Sequence, residues 1–189
     1  MSRQIRNVHL WFLNDRLEDS ELVRQLDELL SAGCDAVITR SFNGLRTPYL
    51  SDQFLARMET IVGACRDRGM AVFLQAGYMP SAVPSLDRRF CRQVVTACAH
   101  DSPMPDNMTR LHRRGDTDLR LRIDPGHVDL LNASAVRAYL DTAYTQPWRR
   151  LRGEFGKTIV SVWVDEPSFD PATLPWTPAL PDTFARRWG

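Results

Sequence analysis

The chain has 189 residues, 43% hydrophobic and 25% charged, a balance that suits one globular domain and excludes a disordered chain. Lys and Arg number 24 against 23 Asp and Glu, and a formal charge of +1 provides no general field for nucleic acid or an anionic membrane, so neither is expected as a partner. No stretch approaches the roughly 20 apolar residues of a membrane helix, and Met1 to Asn14 lacks the small-residue cleavage site of a secretory leader, which makes the expected location cytoplasmic.

Ile5 to Leu13 is rich in Val, Leu, Trp and Phe and stops at the turn-forming pair Asn14-Asp15, the pattern of a buried strand. From Ser20, the residues Leu22, Val23, Leu26, Leu29 and Leu30 share one face of a helix that Gly33 ends. Cys34 to Thr39 forms a second strand, followed by a polar, Gly-containing loop over Arg40 to Leu50. Ser51 is positioned to cap a helix whose apolar face carries Phe54, Leu55, Met58, Ile61, Val62 and Cys65, and Met70 to Leu74 gives a third strand. This β-α-β-α-β order predicts parallel strands with right-handed crossovers and both helices on one face.

Pro80, Pro84, Pro103 and Pro105 then punctuate an insertion at about 78–127, with a helix expected between Leu86 and His100 and a half-exposed strand over Leu119 to Ile123. Asn132 caps a further helix with Val136, Tyr139, Leu140, Ala143 and Tyr144 inward, which Pro147 is expected to kink or interrupt before Trp148 and Leu151. After Gly156, the β-branched run Thr158 to Val164 forms the fourth core strand and delivers Asp165 and Glu166 at its carboxyl end. No internal repeat is evident.

Ligands of parallel α/β folds lie beyond the carboxyl ends of the strands. There the chain places Trp11 and Asn14, then Arg40 and Tyr49, then Gln75 and Tyr78, and finally Asp165 and Glu166, with Trp176 further on. Aromatic faces stack on sugar rings, and Arg, Asn and Gln orient hydroxyls, so a carbohydrate fits this set as a substrate. Asp165 and Glu166 are neighbours on a strand and point to opposite sides, so they are not an acid/base pair. A glycosidase needs two carboxyl groups, roughly 5 Å apart for retention or 6.5–9.5 Å for inversion. Pro167 biases Glu166 to extended geometry, and partial desolvation by Trp163, Phe169 or Trp176 would suit Glu166 to donate a proton.

The remaining chemistry-bearing residues point elsewhere. Cys34, Cys65, Cys91 and Cys98 form no Cys-x-x-Cys pair and are expected as buried free thiols. His9, His100, His112 and His127 have no i,i+4 partner, and no phosphate-binding glycine motif occurs, so neither a metal nor a cofactor is expected. The basic clusters Arg110 to Arg114 and Arg149 to Arg152 fit solvated faces.

The stretch from Asn14 to Ser51, with Leu26, Ala32-Gly33, Arg40, Gly44-Leu45 and Thr47-Pro48-Tyr49-Leu50-Ser51, resembles the catalytic barrel of a bacterial glycoside hydrolase group that includes α-L-rhamnosidases. A second block is similar to the same group: Val128 to Asn132, Gly153 to Ile159, Asp165-Glu166-Pro167, Pro175 to Pro178 and Leu180-Pro181. The resemblance covers most of residues 8–188 and is weakest from about 86 to 118. It implies a (β/α)8 TIM-barrel-type fold, hydrolysis of a glycosidic bond, Glu166 as proton donor and Asp165 as a sugar-contacting residue. Where relatives often carry an acidic pair after the third strand, this chain has Ala76-Gly77. Four core strands make an incomplete barrel, since a whole one takes about 250 residues, so the whole chain is expected to be one partial catalytic domain. The second carboxylate is then expected on a later strand, outside this sequence, with a complementary half-barrel or self-association as the partner. Two other readings stay open: a non-catalytic carbohydrate-binding or degenerate barrel, and a small flavodoxin-like α/β domain.

Overall fold

The computed structural model describes residues 4–75, 83, 86–164 and 172–189. In chain order the elements are β1 (Val8–Asp15), α1 (Asp19–Ser31), β2 (Ala36–Leu45), α2 (Asp52–Asp67), β3 (Ala71–Gln75), β4 (Cys91–Ala99), β5 (Met108–Arg114), β6 (Thr117–Val128), α3 (Ala133–Ala143), α4 (Thr145–Leu151), β7 (Ile159–Trp163), β8 (Leu174–Trp176) and α5 (Leu180–Trp188). They form a mixed α/β structure that divides into two compact units, one from Met1–Pro80 with Thr142–Glu166, the other from Ser81–Asp141 with Pro167–Gly189.

The first unit is built on a parallel sheet in the order β1-β2-β3-β7. Trp11, Leu13, Val37, Val72 and Leu74 of the strands pack with Leu22 and Leu26 of α1 and with Phe54, Met58, Ile61 and Val62 of α2 in one core. Both crossover helices therefore cover the same sheet face. Full burial of side chains such as Leu26 and Ile61 contributes roughly 1.5–3 kcal/mol each. Glu18 makes no side-chain cap on α1, and Asp19 and Glu21 instead place negative charge at its amino end. At α2 the Ser51 hydroxyl accepts the Phe54 N–H at 3.1 Å, as its sequence position implies.

The second strand is longer than the sequence indicates, because Arg40 to Leu45 continues it where a loop is expected. Phe12 stands opposite Arg40 and Leu13 opposite Ser41, so the ladder with β1 carries the polar residues along. A bulge follows Leu13, and Gly44 takes a φ of 91° beside Asn14.

The second unit holds an antiparallel sheet in the order β5-β6-β4-β8. The helix expected between Leu86 and His100 is absent: one 3-10 turn over Arg88–Phe90 leads straight into β4. The β-branched triple Val94-Val95-Thr96 favours a strand, and a continuous ladder to β6 from Arg92↔Asp124 to Ala99↔Thr117 fixes it. The apolar spacing alone suits a short buried helix equally well. Within β6 the alternation is inverted, since Asp118 and Arg120 are buried while Leu119 is 38% exposed.

Asn132 caps α3, its side-chain oxygen accepting from Ser134 N at 3.0 Å and Ala135 N at 3.3 Å. Ala135, Tyr139 and Ala143 form the buried stripe, whereas Leu140, expected inward, is 45% exposed. The helical break falls at Tyr144, ahead of Pro147, which sits in the first turn of α4. A proline loses no intrahelical hydrogen bond there. The four cysteines are free, with Cys34, Cys65 and Cys91 buried and Cys98 partly so. Among the described residues no helix is long and apolar enough to cross a membrane.

Candidate functional site

On the face of the parallel sheet opposite the helices, Phe12 of β1 and Arg40 of β2, both within their strands, come together with Trp163 at the carboxyl end of β7. Register accounts for this: Phe12 is paired with Arg40, Thr39 with Leu74, and Gln75 with Trp163, so the residues one step beyond the core row share a level. The Arg40 guanidinium carbon lies 5.5 Å from the Phe12 ring centre, 5.0 Å from that of Phe42 and 5.6 Å from that of Trp163. Phe12 and Phe42 lie 4.6 Å apart. Each cation–ring contact is worth about 0.5–2 kcal/mol. The three rings hold a planar donor in place beside apolar faces, and Phe12 remains 41% exposed.

Gln75, the last residue of β3, is 9% exposed, and neither its amide oxygen nor its amide nitrogen has a hydrogen-bond partner among the described residues. A buried amide left unmade costs about 1–3 kcal/mol per group. Gln75 also lines a small void with Thr39, Ser41 and Tyr49, and an apolar cleft of about 270 Å³ walled by Leu74, Tyr144, Pro147, Trp148, Phe155 and Val162. Burial raises the Tyr144 phenol above its ordinary pKa.

The other residues singled out in the sequence have different placements. Asn14 is exposed at the end of β1. Next to it, Asp15 forms an ion pair with Arg46 at 3.2 Å. Tyr49 packs edge-on against Phe54 with ring centres 5.0 Å apart. Trp11 is 5% exposed in the helix-covered core, where its indole N–H donates to the Gln25 side chain at 2.7 Å. Trp176 belongs to β8 of the antiparallel sheet, opposite Gln93. Tyr78, Asp165 and Glu166 lie outside the described residues. The ring contacts of Phe12 and Phe42 were not singled out in the sequence. Their signal is the two-residue alternation Phe12-Asn14 and Arg40-Phe42, legible once β2 is carried past Thr39.

No protein-family model matches the chain, and no curated protein sequence matches it. Among solved structures the chain has a distant likeness to a rhamnosidase from Novosphingobium sp. PP1Y, with 10% identity and a TM-score of 0.36, over 57% of this chain and 11% of that one. A Bacillus cereus protein related to NIF3 aligns over 77% of this chain and 50% of that one, with 14% identity and a TM-score of 0.21. The chain thus spans a small part of the rhamnosidase and half of the second protein.

Proposed function

We propose that the chain is part of a glycoside hydrolase, the amino-terminal half of a (β/α)-barrel catalytic domain that binds a carbohydrate at the carboxyl ends of β1, β2, β3 and β7. The observation that carries this reading is the Arg40 guanidinium held among Phe12, Phe42 and Trp163. Aromatic faces next to a fixed, planar hydrogen-bond donor suit a pyranose, which presents apolar ring faces edged by hydroxyls. The Gln75 amide, without a hydrogen-bond partner among the described residues, adds a donor and an acceptor at the same end of the sheet.

In this reading β7 carries the chain to Glu166, which protonates the leaving oxygen, while Asp165 contacts the sugar. The second carboxylate that glycoside hydrolysis requires comes from a complementary half-barrel. The sequence resemblance in the Thr47 to Ser51 and Asp165 to Pro167 motifs supports the assignment of the reaction.

Calorimetric titration of the whole chain with a panel of glycosides tests the site. Binding that is lost in Arg40→Met supports it, and a panel that fails to bind sinks it. Turnover of a bound glycoside that collapses in Glu166→Gln assigns hydrolysis. Binding without turnover in any full-length context assigns a non-catalytic carbohydrate-binding protein instead.

A further inference from the structure

We infer that Asp118 and Arg120 form a charge-operated latch that fastens the connection between β4 and β5 and releases it when the Asp118 carboxylate is neutralised. Arg120 is 1% exposed, yet its guanidinium reaches out of β6 to that connection. Its two terminal nitrogens donate to the backbone carbonyls of Pro103 at 2.7 Å, Ser102 at 3.0 Å, His100 at 3.2 Å and Ala99 at 3.3 Å. Three main-chain carbonyls of the connection, with that of Ala99 at the end of β4, therefore converge on one side chain.

A buried guanidinium needs a counter-charge, and Asp118 supplies it from the same strand at 3.1 Å. Asp118 is itself 0% exposed. Its Oδ1 meets His100 Nδ1 at 3.1 Å, and its Oδ2, the oxygen that faces Arg120, also accepts from Arg110 Nε on β5 at 2.9 Å. Arg113 on β5 is level with Asp118 in the ladder, and Cys98 on β4 contacts its main-chain oxygen. The groups around the carboxylate from every neighbouring strand are thus cationic or neutral.

Proton uptake by Asp118 consequently leaves the buried Arg120 guanidinium and that of Arg110 without the carboxylate that both of them contact. The arrangement is stable only with the carboxylate ionised. The connection is tied to the sheet at its two ends, His100 N–H donating to Asp116 O at 2.9 Å and Ile123 N–H to Asn107 O at 3.0 Å, and between those ties Arg120 meets it, while β4 and β6 keep their own ladder from Arg92 to Ala99.

Hydrogen exchange read by mass spectrometry on the whole chain tests the latch. At neutral pH, Asp118→Asn, which keeps the shape and removes the charge, is expected to speed exchange in residues 100–107 by roughly tenfold or more while the β4 and β6 amides stay protected. Unchanged exchange in that segment, with the variant folded, overturns the proposal. If Asp118→Asn does not fold, acid titration of the unaltered chain decides. Opening of residues 100–107 at a higher pH than the β4–β6 ladder supports the latch, and simultaneous opening overturns it.

Discussion

Arg40 carries more of the proposed site than any other residue, and its replacement separates charge from bulk. Arg40→Met keeps an apolar stem among Phe12, Phe42 and Trp163 but removes the planar donor. Glycoside affinity is expected to fall roughly tenfold or more, since a hydrogen bond to a charged group is worth about 1.5–3 kcal/mol, while the melting temperature falls by about a few degrees as the cation–ring contacts give way to apolar ones. Calorimetry beside a thermal melt reads both. A second expectation concerns Glu166: in an active full-length context Glu166→Gln lowers turnover by orders of magnitude, with the least loss for glycosides whose leaving groups need no proton. Near-normal hydrolysis of a glycoside with a poor leaving group removes Glu166 from the role. Of the residues that the strand-end rule singles out, Gln75 does end β3, whereas Arg40 stands inside the extended β2 and Tyr49 packs on Phe54. The placement of Trp11 was not legible, because at a strand end only the alternation relative to the core decides which face a residue takes, and Trp11 falls on the same side as Leu13.

Among the elements, helices were legible through their ends and faces. Ser51 and Asn132 were identifiable as caps from residue type and position, and both accept the expected backbone N–H groups. Ser51→Ala and Asn132→Ala are each expected to cost about 1 kcal/mol, measurable as a shift in denaturant midpoint. Strands pairing across long sequence separations were harder to read. The segment Arg92 to Ala99 becomes a strand because Thr117 to Asp124 stands ready to pair with it, a fact no local window contains. The inverted β6 was hidden for a related reason: Arg120 is buried only because Asp118 is there to neutralise it. Burial alone would raise the Asp118 pKa, but hydrogen bonds from His100, Arg110 and Arg120 outweigh it and hold the group at about 2. A folded-state pKa below the ordinary carboxylate value means that the stabilisation is complete above that value and is lost as pH falls toward 2. Thermal melts of the antiparallel unit are therefore expected to weaken progressively below about pH 4, and Asp118→Asn to flatten that dependence. A melting profile unchanged by the substitution would show that Asp118 is not the group responsible.

At the scale of the molecule, the parallel sheet ends in β1 on one side and β7 on the other, and neither edge is covered by a further strand among the described residues, with Phe155 bridging β7 at Ile159 alone. Soluble sheets normally blunt such edges with charge, proline or a covering segment, because unpaired N–H and C=O groups accept strands from other chains. β7 has little of this protection. Val160 is 41% exposed, Val162 38% and Val164 63%, and its β-branched run favours extension. The opposite edge exposes Val8 at 38% and Phe12 at 41%. These two edges are what a half-barrel would present to a complementary half, and in its absence they are expected to pair between copies. The expected result is concentration-dependent association in sedimentation velocity. Val160→Lys places a charge on the β7 edge while leaving Ile159, 1% exposed, to anchor the strand in the core. It is expected to shift the distribution toward monomer without lowering the melting temperature. A monomer at all concentrations, or association indifferent to Val160→Lys, would mean that the β7 edge is not the surface through which this chain meets another.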